Sequence, residues 1–402
     1  MKGIEEKQIE APYELPEGWK WVTLGSECEM YQPKTISTKD LVENGKYIVY
    51  GANGIIGKYN DYNHEESQLL VTCRGATCGA VNISEPFSWI NGNAMVIKSK
   101  KNDLLRMYLY YLFMGQIDFN KIITGSAQPQ ITRQSLVEVL FPLPPLSEQQ
   151  RIVNRIESMF AKLDEAKEKA QNVVDGFEIR KAAILHKAFT GELTAKWRKE
   201  NGVSDDSWVE KKLGEISKLG SGGTPSKNHP EYYEKGTIPW LKTGEIDWTD
   251  IYEIEEKITE DAIKNSSAKL YPAESVVVAM YGMGVTRGKA GILKIPSTTN
   301  QAVCVLQPNE SLFNRYLFYY FMCNYWEFRE KAVGGNQLNY SATMISKWTI
   351  NLPTLPEQVE IVRILDIIIE KENKAKQAAE AVLEQIDLLK KSILARAFRG
   401  EL

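Results

Sequence analysis

Histidine is scarce in this chain: His64, His186 and His229 are the only three among 402 residues. That leaves little material for imidazole acid–base catalysis or for histidine-rich metal sites. Cysteine is also sparse, and odd in number. Cys28, Cys73, Cys78, Cys304 and Cys323 stand in apolar or turn contexts, which points to buried thiols in a reducing cytoplasm rather than a disulfide framework. Cys73 and Cys78 have no second pair or nearby histidine to complete a metal set. Long apolar runs are missing too. The longest, 104–114 and 312–323, are about half the roughly 20 residues of a membrane span. Each contains an arginine, Arg106 or Arg315, so both are expected as buried helices. The opening MKGIEEKQIE is polar and mixed in charge, unlike a signal or transit peptide. The net charge of −3 does not advertise a nucleic-acid partner. A local basic stripe would nevertheless suffice for phosphate contact.

Recognisable catalytic motifs are absent as well. No Asn-Pro-Pro-aromatic or Asp-Pro-Pro-aromatic tetrapeptide occurs, so the usual adenine-methylation pocket is missing. Gly284-Val-Thr-Arg-Gly-Lys-Ala290 resembles a phosphate-binding loop but is one residue short, and Ala290 stands where Ser or Thr is needed. No complete Gly-x-Gly-x-x-Gly opens a helix. Acidic pairs such as Glu253 and Glu256 read as a solvated face. With 43% apolar and 25% charged residues, the chain has the composition of a soluble globular protein, and its length suggests two to three domains.

What the chain does have is a repeat. Residues 143–193 and 352–402 align without a gap: Leu143-Pro144 falls on Leu352-Pro353, Glu148-Gln149 on Glu357-Gln358, and Gly191-Glu192-Leu193 on Gly400-Glu401-Leu402. Each copy opens with the form of a capping box, Ser147 to Gln150 and Thr354 to Glu357. Apolar residues then recur at alternating steps of four and three, as in a coiled-coil seam. The seam reads Ile152, Ile156, Met159 and Leu163 in the first copy, and Ile361, Leu365, Ile368, Val382, Ile386 and Leu389 in the second. It is interrupted at Arg180 and at Glu372. Each helix is expected to stop at a glycine, Gly191 or Gly400. About 43 residues of helix would span roughly 65 Å. In the order module, helix, module, helix, the two seams bury each other if the helices run antiparallel. Two near-identical units so arranged are related by a pseudo-twofold axis, which asks for two copies of any partner bound to the frame.

The segments before each helix diverge, with a weak likeness. Trp19 and Leu24-Gly25 match Trp208 and Leu213-Gly214, Asn93-Ala94 matches Gln301-Ala302, Tyr108 to Tyr111 matches Tyr316 to Tyr319, and Gly125 to Gln128 matches Gly334 to Gln337. Short strands are expected at 47–50, 69–73, 94–97 and 137–142, and at 275–280 and 302–306, with an aromatic helix near the end of each module. This is an α+β pattern. Loops rich in Gly, Asn, Gln, Ser and Thr carry isolated cations in both modules. Amides of Asn and Gln can pair with adenine, Arg and Lys with guanine, and exposed backbone amides with phosphate. The candidate DNA-binding residues are therefore Tyr50, Asn53, Arg74, Thr77, Ser126, Gln128 and Gln130 in the first module. In the second they are Thr224, Ser226, Lys227, Lys242, Thr243, Tyr281, Arg287, Lys289, Asn336, Gln337, Asn339 and Tyr340.

Taken together, these motifs resemble the specificity (S) subunit of type I restriction-modification systems. The resemblance is carried by Leu15-Pro-Glu-Gly-Trp19, Leu143-Pro-Pro-Leu-Ser-Glu-Gln149 with Leu352-Pro-Thr-Leu-Pro-Glu-Gln358, and Ser392 to Leu402 with its counterpart Ala183 to Leu193. Gly222-Gly-Thr-Pro-Ser226 with Ile238 to Gly244, and Tyr50 to Gly57, are similar to openings of target-recognition domains in that family. The resemblance implies an α+β architecture of two globular α/β target-recognition domains, 1–145 and 201–353. Two long antiparallel coiled-coil helices, 146–200 and 354–402, would join them in a pseudo-twofold (circular) tandem repeat. It implies a chain with no catalysis and no cofactor or metal of its own, in the cytoplasm of a prokaryote. Each domain would read one half of a bipartite double-stranded DNA target, and the helices would set the spacer. Two methyltransferase (M) subunits would dock on it with S-adenosylmethionine, and restriction (R) subunits would add ATP/Mg-dependent cleavage. A coiled-coil adaptor with two protein- or glycan-binding modules is the alternative.

Overall fold

The computed structural model describes residues 12–125, 129–282, 284–330 and 339–402. The chain divides into two compact units, Met1–Asn172 with Ala379–Leu402, and Val173–Ala378. Each unit therefore holds one divergent module together with parts of both repeated segments.

In unit 1 a four-stranded antiparallel sheet runs Cys28–Tyr31, Ala94–Ser99, Leu69–Thr72, Val81–Ile83. A separate three-stranded sheet runs Ile55–Tyr59, Tyr47–Tyr50, Trp89–Ile90. Unit 2 has a five-stranded sheet, Leu219–Ser221, Val303–Leu306, Val276–Ala279, Ala290–Leu293, Asp250–Ile251, and a three-stranded one, Lys257–Ile258, Ile238–Leu241, Thr298–Thr299. The inner strands Leu69–Thr72 and Val276–Ala279 are buried at every residue. Covering on both faces is why they read as continuous apolar runs without alternation. In both units a two-stranded ribbon ties the module's first strand to its last, Lys20–Thr23 to Leu140–Leu143 and Val209–Lys212 to Thr349–Leu352. The strand expected at 137–142 is displaced, because Thr132 caps a short helix that runs to Val137. Both apolar runs are buried helices, Arg106–Gly115 and Asn314–Cys323.

The second repeated segment is one 43-residue helix, Leu355–Ala397. The first is not continuous: it runs Leu146–Asp175, turns at Gly176, and resumes as Phe177–Phe189. The turn releases the Val173 carbonyl from its helical partner, and Arg180 Nη2 donates to it at 2.9 Å. Arg180 Nε also reaches Glu372 Oε2 at 2.8 Å, so the two residues that interrupt the apolar repeat are partners. The helical segments pack antiparallel within each unit. In unit 1 Asp164 pairs with Lys390 and Lys167 with Asp387, and Ile152, Val153 and Ile156 share a core with Leu394, Ala397 and Phe398. In unit 2 Leu185 and Ala188 share a core with Ile361, Val362 and Leu365.

Of the expected seam, Ile152, Ile156, Ile361, Leu365 and Ile386 are buried, and Met159, Leu163 and Ile368 are half-buried. Val382 and Leu389 are corrections, at 39% and 48% exposed. Beyond Ala379 the buried stripe passes through Ile386, Leu394 and Ala397 instead. A helix of 3.6 residues per turn drifts off a 3.5-residue repeat, and here the drift is one residue. Both helix stops are as expected, with Gly191 and Gly400 left-handed at φ 80° and 75°.

The capping boxes do not form. The first helix starts at Leu146, which puts Ser147 inside it, and Glu148 pairs with Arg151 at 2.8 Å. Glu357 is buried against Arg198 at 2.6 Å and accepts from Thr194 at 2.7 Å. The neighbouring glutamines make the repeated contact. Gln149 Oε1 accepts from Leu105 N at 2.9 Å, while Nε2 donates to Asp103 O at 2.9 Å and Pro144 O at 3.0 Å. Gln358 does the same with Phe313 N at 2.8 Å, Ser311 O at 3.1 Å and Pro353 O at 2.9 Å. Each amide is fully buried and fastens the start of the aromatic helix to the start of a long helix.

Removing one clamp strands a buried backbone donor and two carbonyls. Gln149→Leu and Gln358→Leu should each cost about 2 kcal/mol in chemical denaturation. Gln150→Leu, at an exposed position, should stay within about 0.5 kcal/mol.

Candidate nucleic-acid interface

In each unit the central strand leaves the sheet through the same backbone junction. Cys73 N donates to Asn93 O at 3.0 Å, Ile131 N to Cys73 O at 2.9 Å, and Asn91 N to Tyr50 O at 2.9 Å. In unit 2 Met280 N donates to Ala302 O at 2.8 Å, Tyr340 N to Met280 O at 3.1 Å, and Asn300 N to Leu241 O at 2.9 Å. Four chain segments meet at each junction because strand pairing carries them to one sheet end. The register pairs Thr72 with Ala94 and Ala279 with Val303. Asn93 therefore corresponds to Ala302, one residue on from the match with Gln301 that the sequence suggested.

The side chains set around this constant junction differ. Arg74 corresponds to Tyr281, Asn93 to Ala302, and Gln130 to Asn339. In unit 1 Arg74, Asn93 and Gln130, with Ala52, Gly75 and Pro129, line an open cleft of about 560 Å³. Arg74 is exposed, and among the described residues its guanidinium has no partner. Thr77 is exposed on a turn held by Cys78 N on Gly75 O at 3.0 Å and Ala80 N on Thr77 O at 2.9 Å. Asn53 is exposed and accepts from Asn82 Nδ2 at 3.2 Å. Tyr50 does not present its side chain. It is 5% exposed, and its hydroxyl accepts from Glu85 N at 3.0 Å. Ser126 and Gln128 lie outside the described residues.

Unit 2 handles its cations differently. Lys242 is paired with Glu256 at 2.5 Å, Lys289 with Asp247, and Arg287 lies over the Tyr340 ring at 5.8 Å. The Glu256 side chain beside Lys242 raises that ammonium's pKa, which keeps it charged and occupied. Thr224 Oγ1 donates to Gln301 Oε1, Ser226 Oγ accepts from Asn228 N at 3.3 Å, and Lys227 is exposed. Thr243 opens the 3₁₀ turn Thr243–Glu245. Tyr340 is a core residue at 2% exposure, edge-on to Trp348, and so supports the junction from behind. Asn339 is half-buried, and Asn336 and Gln337 lie outside the described residues. Tyr281 is 39% exposed, alongside Val285 at 58% and Trp326 at 69%.

Sequence reasoning missed Asn93 as a cleft residue, because only the strand register shows which side chain follows the junction. It also missed the Gln149 and Gln358 clamps, read there as part of a cap. Cys28, Cys73 and Cys304 are buried as expected, with burial pushing Cys28 and Cys304 up to about 12, whereas Cys78 and Cys323 are only partly covered. No described helix is long and apolar enough to cross a membrane.

Residues 16–174 and 205–385 each match the type I restriction modification DNA specificity domain, and the chain belongs to that family. Membership makes it a non-catalytic specificity subunit. Over 418 residues it is 21% identical to the EcoDI specificity subunit of Escherichia coli, spanning 96% of this chain and 89% of that one. It is 31% identical to the EcoR124I/EcoR124II specificity subunit of the same species over 196 residues, 46% of this chain and about half (48%) of that one. The HsdS subunit of Thermoanaerobacter tengcongensis has the same fold, with a TM-score of 0.66, 21% identity, and coverage of 98% of this chain and all of that one (100%).

The Gly222-Gly223 pair that follows the strand Leu219–Ser221 is required by space. A Cβ on Gly222 would lie 1.8 Å from Thr299 O, whereas one on Gly244 would meet nothing within 4 Å. Gly222→Ala should therefore lose about 1–3 kcal/mol of stability in thermal melting, and Gly244→Ala should lose less than about 0.5 kcal/mol.

Proposed function

We propose that this chain is the DNA-recognition subunit of a type I restriction-modification complex, in which each unit reads one half of a bipartite target. The observation that carries this reading is the repeated junction with unlike side chains: one scaffold, used twice, presenting Arg74, Asn93 and Gln130 in one place and Tyr281, Ala302 and Asn339 in the other. A binding scaffold that must hold two different sequences needs that combination of fixed backbone and variable side chains. The guanidinium of Arg74, which has no partner among the described residues, suits the two acceptors of a guanine edge, and the amides of Asn93 and Gln130 suit adenine. In unit 2 the charges are largely neutralised, so contact there would rest on Thr224, Tyr281 and Asn339 and on apolar surface.

The helical frame would hold the two halves at a fixed spacing and would dock two methyltransferase subunits. S-adenosylmethionine would be bound by those subunits, and ATP with Mg by restriction subunits, with neither cofactor held by this chain. The backbone amides and lysines around the edges would supply the phosphate contacts that position the duplex.

Mapping modified adenines in cells that carry this chain and its methyltransferase subunit should return a single bipartite motif. Absence of any motif, together with no sequence-selective mobility shift by the assembled complex, would reject the reading and favour a protein- or glycan-binding adaptor. Arg74→Ala should relax one base pair of one half by about 1–3 kcal/mol, read as relative methylation of single-mismatch sites, and leave the other half unchanged.

A further inference from the structure

We infer that Arg329 is the positioning residue that fixes the shape of unit 2's reading loop, and that it thereby determines specificity in that half of the target. The inference rests on the DNA-recognition reading above. Arg329 sits on the six-residue helix Tyr325–Glu330, immediately behind segment 284–289. Its Nη1 donates to Arg287 O at 2.8 Å and its Nη2 to Gly284 O at 2.6 Å. Tyr325, on the same helix, donates its hydroxyl to Val285 O. Three carbonyls of one short loop are thus held by two side chains of one helical turn. The guanidinium also lies over the rings of Tyr325 and Trp326, at 5.3 and 5.9 Å, which restricts its own orientation.

The loop needs an external support because of its backbone. Gly284 and Gly288 are left-handed, at φ 64° and 91°, and glycine gives the chain more conformations to lose than any other residue. At the loop's base Gly288 N donates to Ala279 O at 2.8 Å, and Lys289 N to Thr286 O at 3.0 Å. The carbonyls at 284, 285 and 287 are directed to the helix. The corresponding turn in unit 1 shares this base but differs at its tip. Gly75 O and Thr77 O accept from the backbone amides of Cys78 and Ala80, and Gly79 N returns to Thr72 O at 2.9 Å. The base is closed by backbone alike in both turns, so the difference lies at the tip, which in unit 1 is held by Cys78 N on Gly75 O and in unit 2 by a planar two-pronged donor. Lysine cannot replace it, since a single ammonium on a flexible stem reaches one of two diverging carbonyls. The surface so held is the exposed group Tyr281, Val285 and Trp326.

The test uses the complete complex with its methyltransferase subunits and three versions of this chain: wild type, Arg329→Ala and Arg329→Lys. Methylated-site mapping gives base preference in each half, with Arg74→Ala marking which half belongs to unit 1. Melting of the purified chains is measured in parallel. The expected result is a roughly tenfold loss of discrimination at one or two base pairs of unit 2's half, in both variants. Unit 1's half should be unchanged, and the Arg329→Lys melting temperature should lie within a few degrees of wild type. Should Arg329→Ala not fold, Arg329→Lys decides. Two results would overturn the inference: undiminished discrimination in unit 2's half, or an even fall in methylation at all sites that tracks lowered stability. A wild-type complex with no bipartite motif would overturn the recognition reading itself, and this inference with it.

Discussion

Two buried glutamine side chains, Gln149 and Gln358, connect what repeats in this protein to what does not. Each lies in the first turn of a long helix and spends both amide N–H donors and its carbonyl oxygen on three backbone groups. One of these is the amide that opens the aromatic helix of the neighbouring module, Leu105 N or Phe313 N. A primary amide is suited to this task because it offers an acceptor and two donors in one plane. A neutral side chain also avoids the desolvation penalty of a buried charge. With the amide in place, Tyr108 and Tyr316 fall at the same depth, and their hydroxyls donate to the equivalent carbonyls Pro142 O and Asn351 O, both at 2.8 Å. The module's core and the helix are thereby one packed body, and the junction at the sheet end inherits that rigidity.

Identical frames do not make identical edges. At one sheet end unit 1 carries an exposed arginine in an open cleft. At the equivalent place unit 2 neutralises Lys242 and Lys289 with carboxylates and exposes Tyr281, Val285 and Trp326. The helices diverge in the same way. Arg180 and Glu372 pair in unit 2, while the residues at the corresponding repeat positions are Leu389 and Leu163. A lone polar pair in an apolar seam is best known as a device that selects register, and it can do so here at modest cost because it is only partly buried.

Much of this was legible in the sequence, for identifiable reasons. The helices announced themselves through periodicity, the buried aromatic helices through apolar runs too short for a membrane, and the two modules through weakly matching motifs such as Leu24-Gly25 and Leu213-Gly214. Their misses are equally physical. A single unbroken first helix was expected, and only the interaction of Arg180 with Val173 O and Glu372 shows why the turn at Gly176 is stable. Val382 and Leu389 fitted a 3.5-residue repeat that the buried stripe of the helix does not follow. Tyr50 and Tyr340 have the residue type of a reading surface but the burial of a core. Asn93 could not be aligned correctly with Ala302 until strand register was known, because a shift of one residue in a weakly similar loop leaves no trace in composition.

The central claim is that one frame, fastened by a glutamine in each unit, carries interchangeable readers. It is tested most directly by building a chain in which residues 205–352 are replaced by a second copy of 16–143, and mapping the sites methylated when it is assembled with the methyltransferase subunits. The account predicts a target whose two halves carry the same sequence, at the wild-type spacing. Persistence of the original second half would contradict it, as would a motif in which both halves had changed to sequences found in neither.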